Sequence, residues 1–263
     1  MRIADFLRSE NIFEFARVEF SSLRVTDVKR LERMGFVPSC AVVFLMPYYV
    51  KGERTNISEY AKSRDYHGFI KELILRAHDV LKPSFACFAD TSPIDEVGAA
   101  LQAGLGAIGR NGLIINKRYG SYVFIGEFFF GRDADEDFFA DTEPKHTPQK
   151  CLECGACINA CPTGGIRDRE LCVSCINQKK KIDSSEEDII RKTKIAWGCD
   201  ICQEVCPMNT FEETPIKFFR EGRIESLDEK TLDDLVLSGE FKARAFSWRG
   251  EKVLRRNLEL TKD

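Results

Sequence analysis

The chain has 263 residues, of which 43% are hydrophobic and 31% are charged, and this composition excludes a disordered or fibrous protein. Its formal net charge of −3 excludes a general attraction to nucleic acid, although it is compatible with a local basic face. The first residues lack the apolar core and cleavage site of a signal peptide, and the longest apolar runs are too short to cross a bilayer. We therefore expect a cytoplasmic protein that does not contact the membrane.

Helical and strand patterns alternate along the first half of the chain. The spacing of apolar residues predicts helices over 3–18, 69–81 and 93–104, and strands over 40–46, 85–89 and 121–130. A further helix is predicted over 231–246, where it would pack back on the large domain. Alternating strands and helices predict an α+β fold with an α/β N-terminal domain.

The cysteines divide the chain into parts. Nine of the eleven lie between Cys151 and Cys206, after an acidic, Pro-containing stretch at 131–150 that is typical of a linker. In a reducing compartment this density favours metal binding over disulfides. We predict three parts, which are a large N-terminal domain at 1–145, a two-cluster domain at 146–215 and a helical tail at 216–263.

The cysteine motifs carry the most specific signal in the chain. The run that begins at Cys151 reads C-x2-C-x2-C-x3-C-P, and the run that begins at Cys199 reads C-x2-C-x3-C-P. This pair is typical of ferredoxins with two 4Fe-4S clusters, in which the last cysteine of one run binds the other cluster. Cluster B needs one more ligand, and the spacing leaves Cys172 and Cys175 as alternatives. The crossover rule assigns cluster A to Cys151, Cys154, Cys157 and Cys206, and cluster B to Cys161, Cys199 and Cys202.

Structural zinc is the alternative to two 4Fe-4S clusters. Zinc sites favour two separated CxxC pairs, whereas a CxxCxxC triplet followed by CP suits three corners of one cubane. Cys40 and Cys87 lie in apolar strands, which indicates buried core thiols rather than ligands. The three histidines are too scattered to build a site, and we expect His78 and His146 to be solvated.

Glycines cluster in "AGLGAIGRNG", where Gly104, Gly106 and Gly109 match the dinucleotide-binding pattern GxGxxG. That fingerprint requires a strand before it and a helix after it, whereas here a helix precedes and the apolar "LIIN" follows. The context therefore disfavours NAD binding. The glycines indicate either close approach of the backbone to a flat ligand or an ordinary helix end and turn.

A carboxylate follows the strand at 85–89. Ser92 and Pro93 have the pattern of a helix cap and a first helical residue, which leaves Asp90 free of that role. Partial burial would raise the pKa of such a carboxyl group and make it a useful proton donor, and the alternative is a turn residue. On its own, the polar segment "EYAKSRDYH" at 59–67 indicates an ordinary helix start.

Taken in order, seven motifs resemble the epoxyqueuosine reductase family. They are YAKSRDYH, ADTSP, AGLGAIGRNGLIIN, GSYVFIGEFF, CLECGACINACPTGGI, CVSCINQKKK and WGCDICQEVCPMN, and the C-terminal FSWRGEKVLRRN is similar as well. The resemblance implies a cobalamin-dependent iron–sulfur enzyme, related to reductive dehalogenases, whose N-terminal domain holds the corrinoid beside the ferredoxin-like domain. The implied reaction removes the epoxide oxygen of epoxyqueuosine in tRNA, with electrons from an external flavodoxin or ferredoxin system.

The resemblance also implies roles for individual residues. Asp90 matches the proton-donating aspartate of the family. The segment "CVSC" matches a family segment that ligates the second cluster, which favours Cys172 and makes Cys175 an extra thiol. The implied contacts of the corrinoid are Arg64, Tyr66, His67, Asp90, Gly104, Gly106, Gly109 and Asn111.

Three functions stay open because the chain is short for that family. They are an epoxyqueuosine reductase acting on tRNA, a corrinoid iron–sulfur paralogue with another substrate, and a cobalamin-free electron-transfer protein. A local phosphate-binding face for tRNA is one interpretation of the basic residues near the C-terminal part, and ordinary solvated surface is the other. These residues are Lys179, Lys180, Lys181, Arg255 and Arg256.

Overall fold

The computed structural model describes residues 1–143 and 150–262, so His146 lies outside the described residues. The strands are β1 (Glu14–Glu19), β2 (Cys40–Pro47), β3 (Phe85–Phe88), β4 (Ala107–Ile108), β5 (Ile114–Ile115) and β6 (Val123–Phe130). The helices are α1 (Ile3–Ser9), α2 (Val28–Glu32), α3 (Glu59–Lys62), α4 (Tyr66–Val80), α5 (Glu96–Gln102), α6 (Ala156–Ala160), α7 (Val173–Ile176), α8 (Ser184–Thr193), α9 (Ile201–Glu204), α10 (Lys217–Arg220), α11 (Glu229–Leu237) and α12 (Glu251–Thr261). Short 3-10 helices lie at Phe20–Ser22, Arg169–Leu171, Glu240–Ala243 and Ser247–Arg249.

Four strands form one antiparallel sheet in the order β1-β2-β6-β3. Every residue of β2 is buried, because this central strand is covered on both faces and its sequence is a continuous apolar run. Helices α1 and α4 pack on one face, around Phe44 and Phe128, while α5 packs on the other, around Val43 and Phe129. The predicted α+β class is confirmed.

Three predicted elements differ from the structure. The helix expected over 3–18 ends at Ser9, since Asn11 takes a left-handed φ of +61° and the following residues pair as β1. Helix α5 begins at Glu96 rather than at Pro93, because the Asp95 side chain, not that of Ser92, caps it. The helix expected over 231–246 ends at Leu237 in a turn through Gly239, whose φ is +80°.

A third hydrophobic core joins the cysteine-rich segment to α3 and to the C-terminal segment. Ala61 from α3 and Trp197 from the segment before Cys199 pack together with Phe246 and Leu254 from the C-terminal part. The C-terminal segment therefore packs on α3 and on the segment before Cys199. The three predicted parts share this core, and their boundaries stay predictions.

A second contact fixes the cysteine-rich segment to the turn after β5. Asn209 accepts the backbone N–H of Ser121 at 2.7 Å, and the Thr210 hydroxyl donates to the carbonyl oxygen of Arg118 at 2.7 Å. Gly120 lies at the closest point with a φ of +62°, and a Cβ there would lie 1.7 Å from Asn209 Oδ1. Only glycine fits this position without moving the two segments apart.

Gly120→Ala is therefore expected to lower the free energy of unfolding by about 2–5 kcal/mol, through backbone strain and overpacking together. Gly112→Ala is a matched control, since Gly112 has a φ of +79° but a Cβ there would meet nothing within 4 Å. The control should lose only the strain component of about 1–2 kcal/mol. Denaturant unfolding of both variants measures the difference, and equal losses would show that Gly120 is not the closest point of this contact.

Candidate metal centre and active site

The thiols assigned to cluster A line one cavity. The Cys151 and Cys206 thiols lie close enough to Cys157 to raise its pKa further, in addition to the larger effect of burial. The fold thus brings the last cysteine of the second motif to the first motif. The lining of this cavity includes Cys151, Cys154, Cys157, Cys206, Gly109 and Asn111.

The second group of thiols gathers around Cys199 and Cys202. Burial raises the pKa of Cys199 to about 12, and the nearby Cys202 and Cys172 add to this effect. Burial likewise raises the pKa of Cys202 to about 11, with Cys172 as a further neighbour. Of the two candidates for the open ligand position, Cys172 is the one that the structure brings to these thiols.

Cys161 joins the same group through the turn that follows it. Burial opposes the effect, but backbone N–H groups, foremost that of Thr163, lower the pKa of Cys161. Within this turn Gly165 packs on Cys172, since a Cβ on Gly165 would lie 2.4 Å from Cys172 Cα. Among residues 1–143 and 150–262, no three Cys, His, Asp or Glu side chains converge on a site for a single ion.

We expect the reconstituted chain to hold about eight iron and eight sulfide atoms, because the two ferredoxin motifs predict two cubanes. Cys172→Ser should lose up to about half of this iron, since each cubane is held by its own set of thiolates. Cys175→Ser, one turn further along α7, is the matched control and should keep both clusters. Iron and sulfide analysis with EPR after reduction measures this. The reverse pattern would make Cys175 the ligand, and stoichiometric zinc would exclude the clusters.

The glycine-rich loop lies against the clusters, but its glycines have structural reasons of their own. Gly104 ends α5 with a φ of +70°, and a Cβ on Gly106 would lie 2.5 Å from the carbonyl oxygen of Ile115. The Asn111 side chain lies beside the Cys202 thiol and lowers its pKa against the larger effect of burial. A Cβ on Gly109 would lie 2.4 Å from Asn111 Oδ1. Because α5 precedes this loop and β4 lies within it, the strand and helix of a dinucleotide site do not flank it.

Asp90 follows β3 with a left-handed φ of +60°, a conformation that aspartate tolerates better than most residues. Its side chain is exposed, so the protein alone does not bury this carboxyl group. The Tyr66 hydroxyl lies beside it, and burial followed by the charge of Asp90 raises the pKa of Tyr66. The Tyr66 ring stacks on that of His67 with 4.2 Å between centroids. The structure thus brings Asp90, Tyr66 and His67 together.

His67 and the nearby Arg64 pair with different carboxylates. His67 Nδ1 lies 2.8 Å from Asp65 Oδ1, which is the main reason that the pKa of His67 is raised, and Asp90 adds to it. Arg64 instead forms an ion pair with Glu240 of the C-terminal segment at 3.2 Å. Arg64 is therefore held by that segment, while His67 belongs to the group around Asp90.

Two glutamates that the sequence patterns did not single out lie near this group, Glu96 beside Asp90 and Glu127 next to Glu96. Glu96 opens α5, and its carboxylate accepts the backbone N–H of Ser92 at 3.3 Å. Burial, and then the charge of Asp90, raises the pKa of Glu96 to about 7. Glu127 lies on β6 with no exposed surface, and neither of its carboxyl oxygens has a hydrogen-bond partner among the described residues. Burial, and then the charge of Glu96, raises the pKa of Glu127 well above its usual range.

Tyr60 connects this cluster of carboxyl side chains to the cysteine-rich segment. Burial raises the pKa of Tyr60, and the charges of Asp200 and Asp90 both add to the effect. Asp200 lies between Cys199 and Cys202 in the sequence and accepts hydrogen bonds from the Ser58 hydroxyl at 2.5 Å and the Glu59 backbone N–H at 2.6 Å. The cluster motif and the Asp90 region are therefore fixed to the two ends of one short segment.

The raised pKa of Glu96 predicts a dependence of stability on pH. The folded state binds its proton more tightly than the unfolded state, so stability falls as pH rises from 4.5, the usual value, through about 7. Glu96→Gln should remove this part of the dependence, which amounts to about 3 kcal/mol over that range. Urea unfolding at several pH values measures it. Glu72→Gln, an exposed change on α4, is the control and should keep the wild-type slope. An unchanged slope in Glu96→Gln would contradict the raised pKa.

The basic residues considered for a phosphate-binding face are largely paired within the protein. Lys179 forms ion pairs with Glu186 at 2.7 Å and with Glu170 at 3.2 Å. Arg256 donates to the carbonyl oxygen of Lys180 at 3.2 Å. The partners of Arg255, all within 2.8 Å, are Glu229, Asp233 and Glu251. Exposed charges that already have partners gain less from a phosphate than free ones.

Comparisons with known proteins agree with the predicted resemblance. Residues 150–209 match a family model described as a 4Fe-4S double cluster binding domain, so the cysteine-rich segment is of the iron–sulfur type. Epoxyqueuosine reductase from Pseudomonas aeruginosa is 33% identical over 223 residues, which is 79% of this chain. The chain spans 58% of the length of that relative.

Solved structures share the fold. An epoxyqueuosine reductase with a modified tRNA-Tyr stem loop superposes with a TM-score of 0.71 at 21% identity, covering 98% of this chain and 79% of that one. The Bacillus subtilis enzyme, with its catalytic aspartate loop swung out of the active site, gives a TM-score of 0.69 at 20% identity and the same coverage. Within the described residues, no helix has the length and apolar character needed to span a membrane.

Proposed function

We infer that this chain, a relative of the epoxyqueuosine reductases, removes the epoxide oxygen of epoxyqueuosine in tRNA by reduction, giving queuosine and water. The observation that carries this inference is that Tyr60 lies between two features of the fold. One is the cluster of carboxyl side chains around Asp90, and the other is the two-cluster cysteine segment. Such a site supplies both things that the reaction consumes, which are electrons and protons. The name of the Pseudomonas aeruginosa relative and the tRNA bound in a solved relative support the choice of substrate.

The clusters are the route for electrons in this proposal. An external one-electron donor, such as a flavodoxin or ferredoxin system, would reduce them in the cytoplasm, where the cysteines stay reduced. Asn111 lies beside Cys202 and also lines the cavity of the first motif, so the glycine-rich loop adjoins both cluster sites. A ligand held against this loop would receive electrons over a short distance.

Cobalamin is the cofactor that we assign to this position, and the residues present fit it. His67 offers a half-buried ring that is fixed by Tyr66, which itself stacks between His67 and Phe124. Asn111 offers an amide, and Gly112 leaves its surroundings open, with nothing within 4 Å of a Cβ position. A flat macrocycle with amide groups on its edge matches such a lining. His67 and the loop at 109–112 would hold it, and when bound it supplies the reducing chemistry at the carbon–oxygen bond.

Asp90 is the residue to which we assign proton transfer. The oxygen can leave only after it gains protons, and Asp90 is the exposed carboxyl group next to the Tyr66 hydroxyl. Its left-handed backbone directs the strand end sharply toward α5, a strain typical of functional sites. Substrate bound over Asp90 would exclude water and strengthen its electrostatic interactions.

A paralogue that keeps the corrinoid and the clusters but reduces another substrate is the second candidate. The ion pairs of Lys179 and Arg255 favour it, since these side chains are engaged by carboxylates of the same chain. Reductase assays with tRNA that carries epoxyqueuosine distinguish the two, by nucleoside mass analysis after anaerobic reconstitution with iron, sulfide and cobalamin. Queuosine formation supports the first function, and its absence from a fully loaded protein supports the second.

Asp90→Asn keeps the shape of the side chain and removes its proton, so turnover should fall by ~10²- to 10⁴-fold, the usual contribution of general acid catalysis. The corrinoid spectrum and the iron content should stay at the wild-type level. Asp79→Asn, an exposed aspartate at the end of α4, is the control and should keep full turnover. Activity within a few-fold of wild type, or loss of cobalamin together with activity, would show that Asp90 is not the proton donor.

A further inference from the structure

Glu127 lies where an ionised carboxylate is unfavourable. In the sheet it pairs with Val43 on β2 and Phe88 on β3, and its side chain is fully buried. Among the described residues no cation pairs with its two carboxyl oxygens, and the Ser92 hydroxyl, which lies beside them, makes no hydrogen bond to them. A buried carboxyl group without a partner keeps its proton rather than carry a charge in an apolar layer. Glu127 is therefore a carboxylic acid at neutral pH.

A short path leads from Glu127 to Asp90. The Ser92 hydroxyl lies beside the Glu127 carboxyl group. The N–H of Ser92 donates to Glu96 Oε1 at 3.3 Å, and the N–H of Asp90 also points to the Glu96 carboxylate. The loop at 90–92 thus contacts all three carboxyl groups, from the buried layer to the exposed end of β3.

The proposed reaction needs more protons than Asp90 holds. Both carbon–oxygen bonds of the epoxide break, two electrons from the clusters form a carbon–carbon double bond, and the oxygen takes up two protons and leaves as water. A carboxylic acid carries one proton at a time. Once substrate covers Asp90, a second proton has to come from inside the protein.

We propose that Glu96 and Glu127 form an internal proton store that reloads Asp90 between the two proton transfers, an inference that rests on the proposed function. Glu96 gives its proton to the Asp90 carboxylate, while Glu127 keeps its own proton and so cannot draw the proton of Glu96 into the sheet. Solvent restores the protons of Asp90 and Glu96 after the product leaves. The two glutamates act through Asp90 and touch no substrate, so they are positioning residues rather than catalytic ones.

The other titratable groups around the two glutamates do not change which of them loses its proton first. Asp90, His67 and Tyr66 face Glu96, and of these the charge of Asp90 raises its pKa while that of His67 lowers it. Cys87 faces Glu127, and burial keeps this thiol protonated by raising its pKa well above the usual value. Glu96 therefore changes charge near neutral pH, while Glu127 behind it stays protonated.

Infrared spectroscopy tests the store without substrate. Wild type should show the C=O stretch of a protonated carboxyl group at neutral pH that disappears in Glu127→Gln. A second band should titrate with a midpoint near 7 and disappear in Glu96→Gln. Glu72→Gln, on the exposed side of α4, should leave both bands unchanged. An ionised Glu127 in the wild-type chain at neutral pH would overturn the proposal, and this measurement needs no variant to fold.

Turnover against pH gives the second test. Wild-type turnover should fall as pH rises through about 7, because Glu96 then loses its proton. In Glu96→Gln turnover should be at least about tenfold lower and should lack this fall, since the path is broken at every pH. Cluster and corrinoid content should stay unchanged. An unaltered pH profile in Glu96→Gln would overturn the store even if epoxyqueuosine is reduced, whereas a wild type that shows both infrared bands but forms no queuosine would contradict the proposed function alone.

Discussion

The position of the clusters depends on one carboxylate. Asp200 lies within the second cysteine motif, and its two oxygens accept hydrogen bonds from the Ser58 hydroxyl and the Glu59 backbone N–H. The same side chain also accepts from Gln203 Nε2 at 2.9 Å. Hydrogen bonds to a charged acceptor are shorter and stronger than neutral ones, so they hold the motif against the segment that leads to α4. The same segment ends at Tyr66, which lies beside Asp90, so Asp90 is positioned relative to Cys199 and Cys202 as well.

The buried glutamates show that burial and ion pairing have opposite effects on the pKa of a carboxyl group. Glu59 is buried next to Lys62 at 3.3 Å and Arg223 at 2.8 Å, and these cations oppose the rise of its pKa that burial causes. Glu127 has no such partner, so nothing of comparable strength offsets burial. A paired buried carboxylate stabilises a contact between segments, whereas an unpaired one holds a proton. The paired carboxylate, Glu59, lies at the contact with the cysteine motif. The unpaired one, Glu127, lies behind Asp90.

The sequence predicts those parts of the fold that depend on local pattern. The cysteine spacing depends on a few neighbouring residues, and the double-cluster family model matches the same segment. The continuous apolar run of β2 marks a central strand, and the structure buries all of it. Segment 3–18 could not be resolved in this way, because its apolar residues suit one helical face as well as the two faces of β1. Pairing with β2, which is a long-range contact, determines that residues 14–19 form a strand.

The sequence patterns did not predict the cluster of carboxyl side chains near Asp90, for a similar reason. Glu127 was visible as a single charge in the apolar strand "VFIGEFFF", but a strand pattern does not say which side chains face it. Its neighbours Ser92 and Glu96 come from the loop and helix after β3, which pairs with β6 only in the folded chain.

In the proposed function, electrons and protons would reach the site by separate routes, both built from described residues. The cluster thiols adjoin Asn111, whereas the glutamates reach Asp90 from the opposite direction, through the sheet and α5. Recognition of RNA has no such internal support, because Lys179 and Arg255 are neutralised by carboxylates of the same chain. Phosphate binding derives its strength from free cations that release counterions. In the proposed function, contacts to RNA phosphates would therefore come from surface residues other than Lys179 and Arg255.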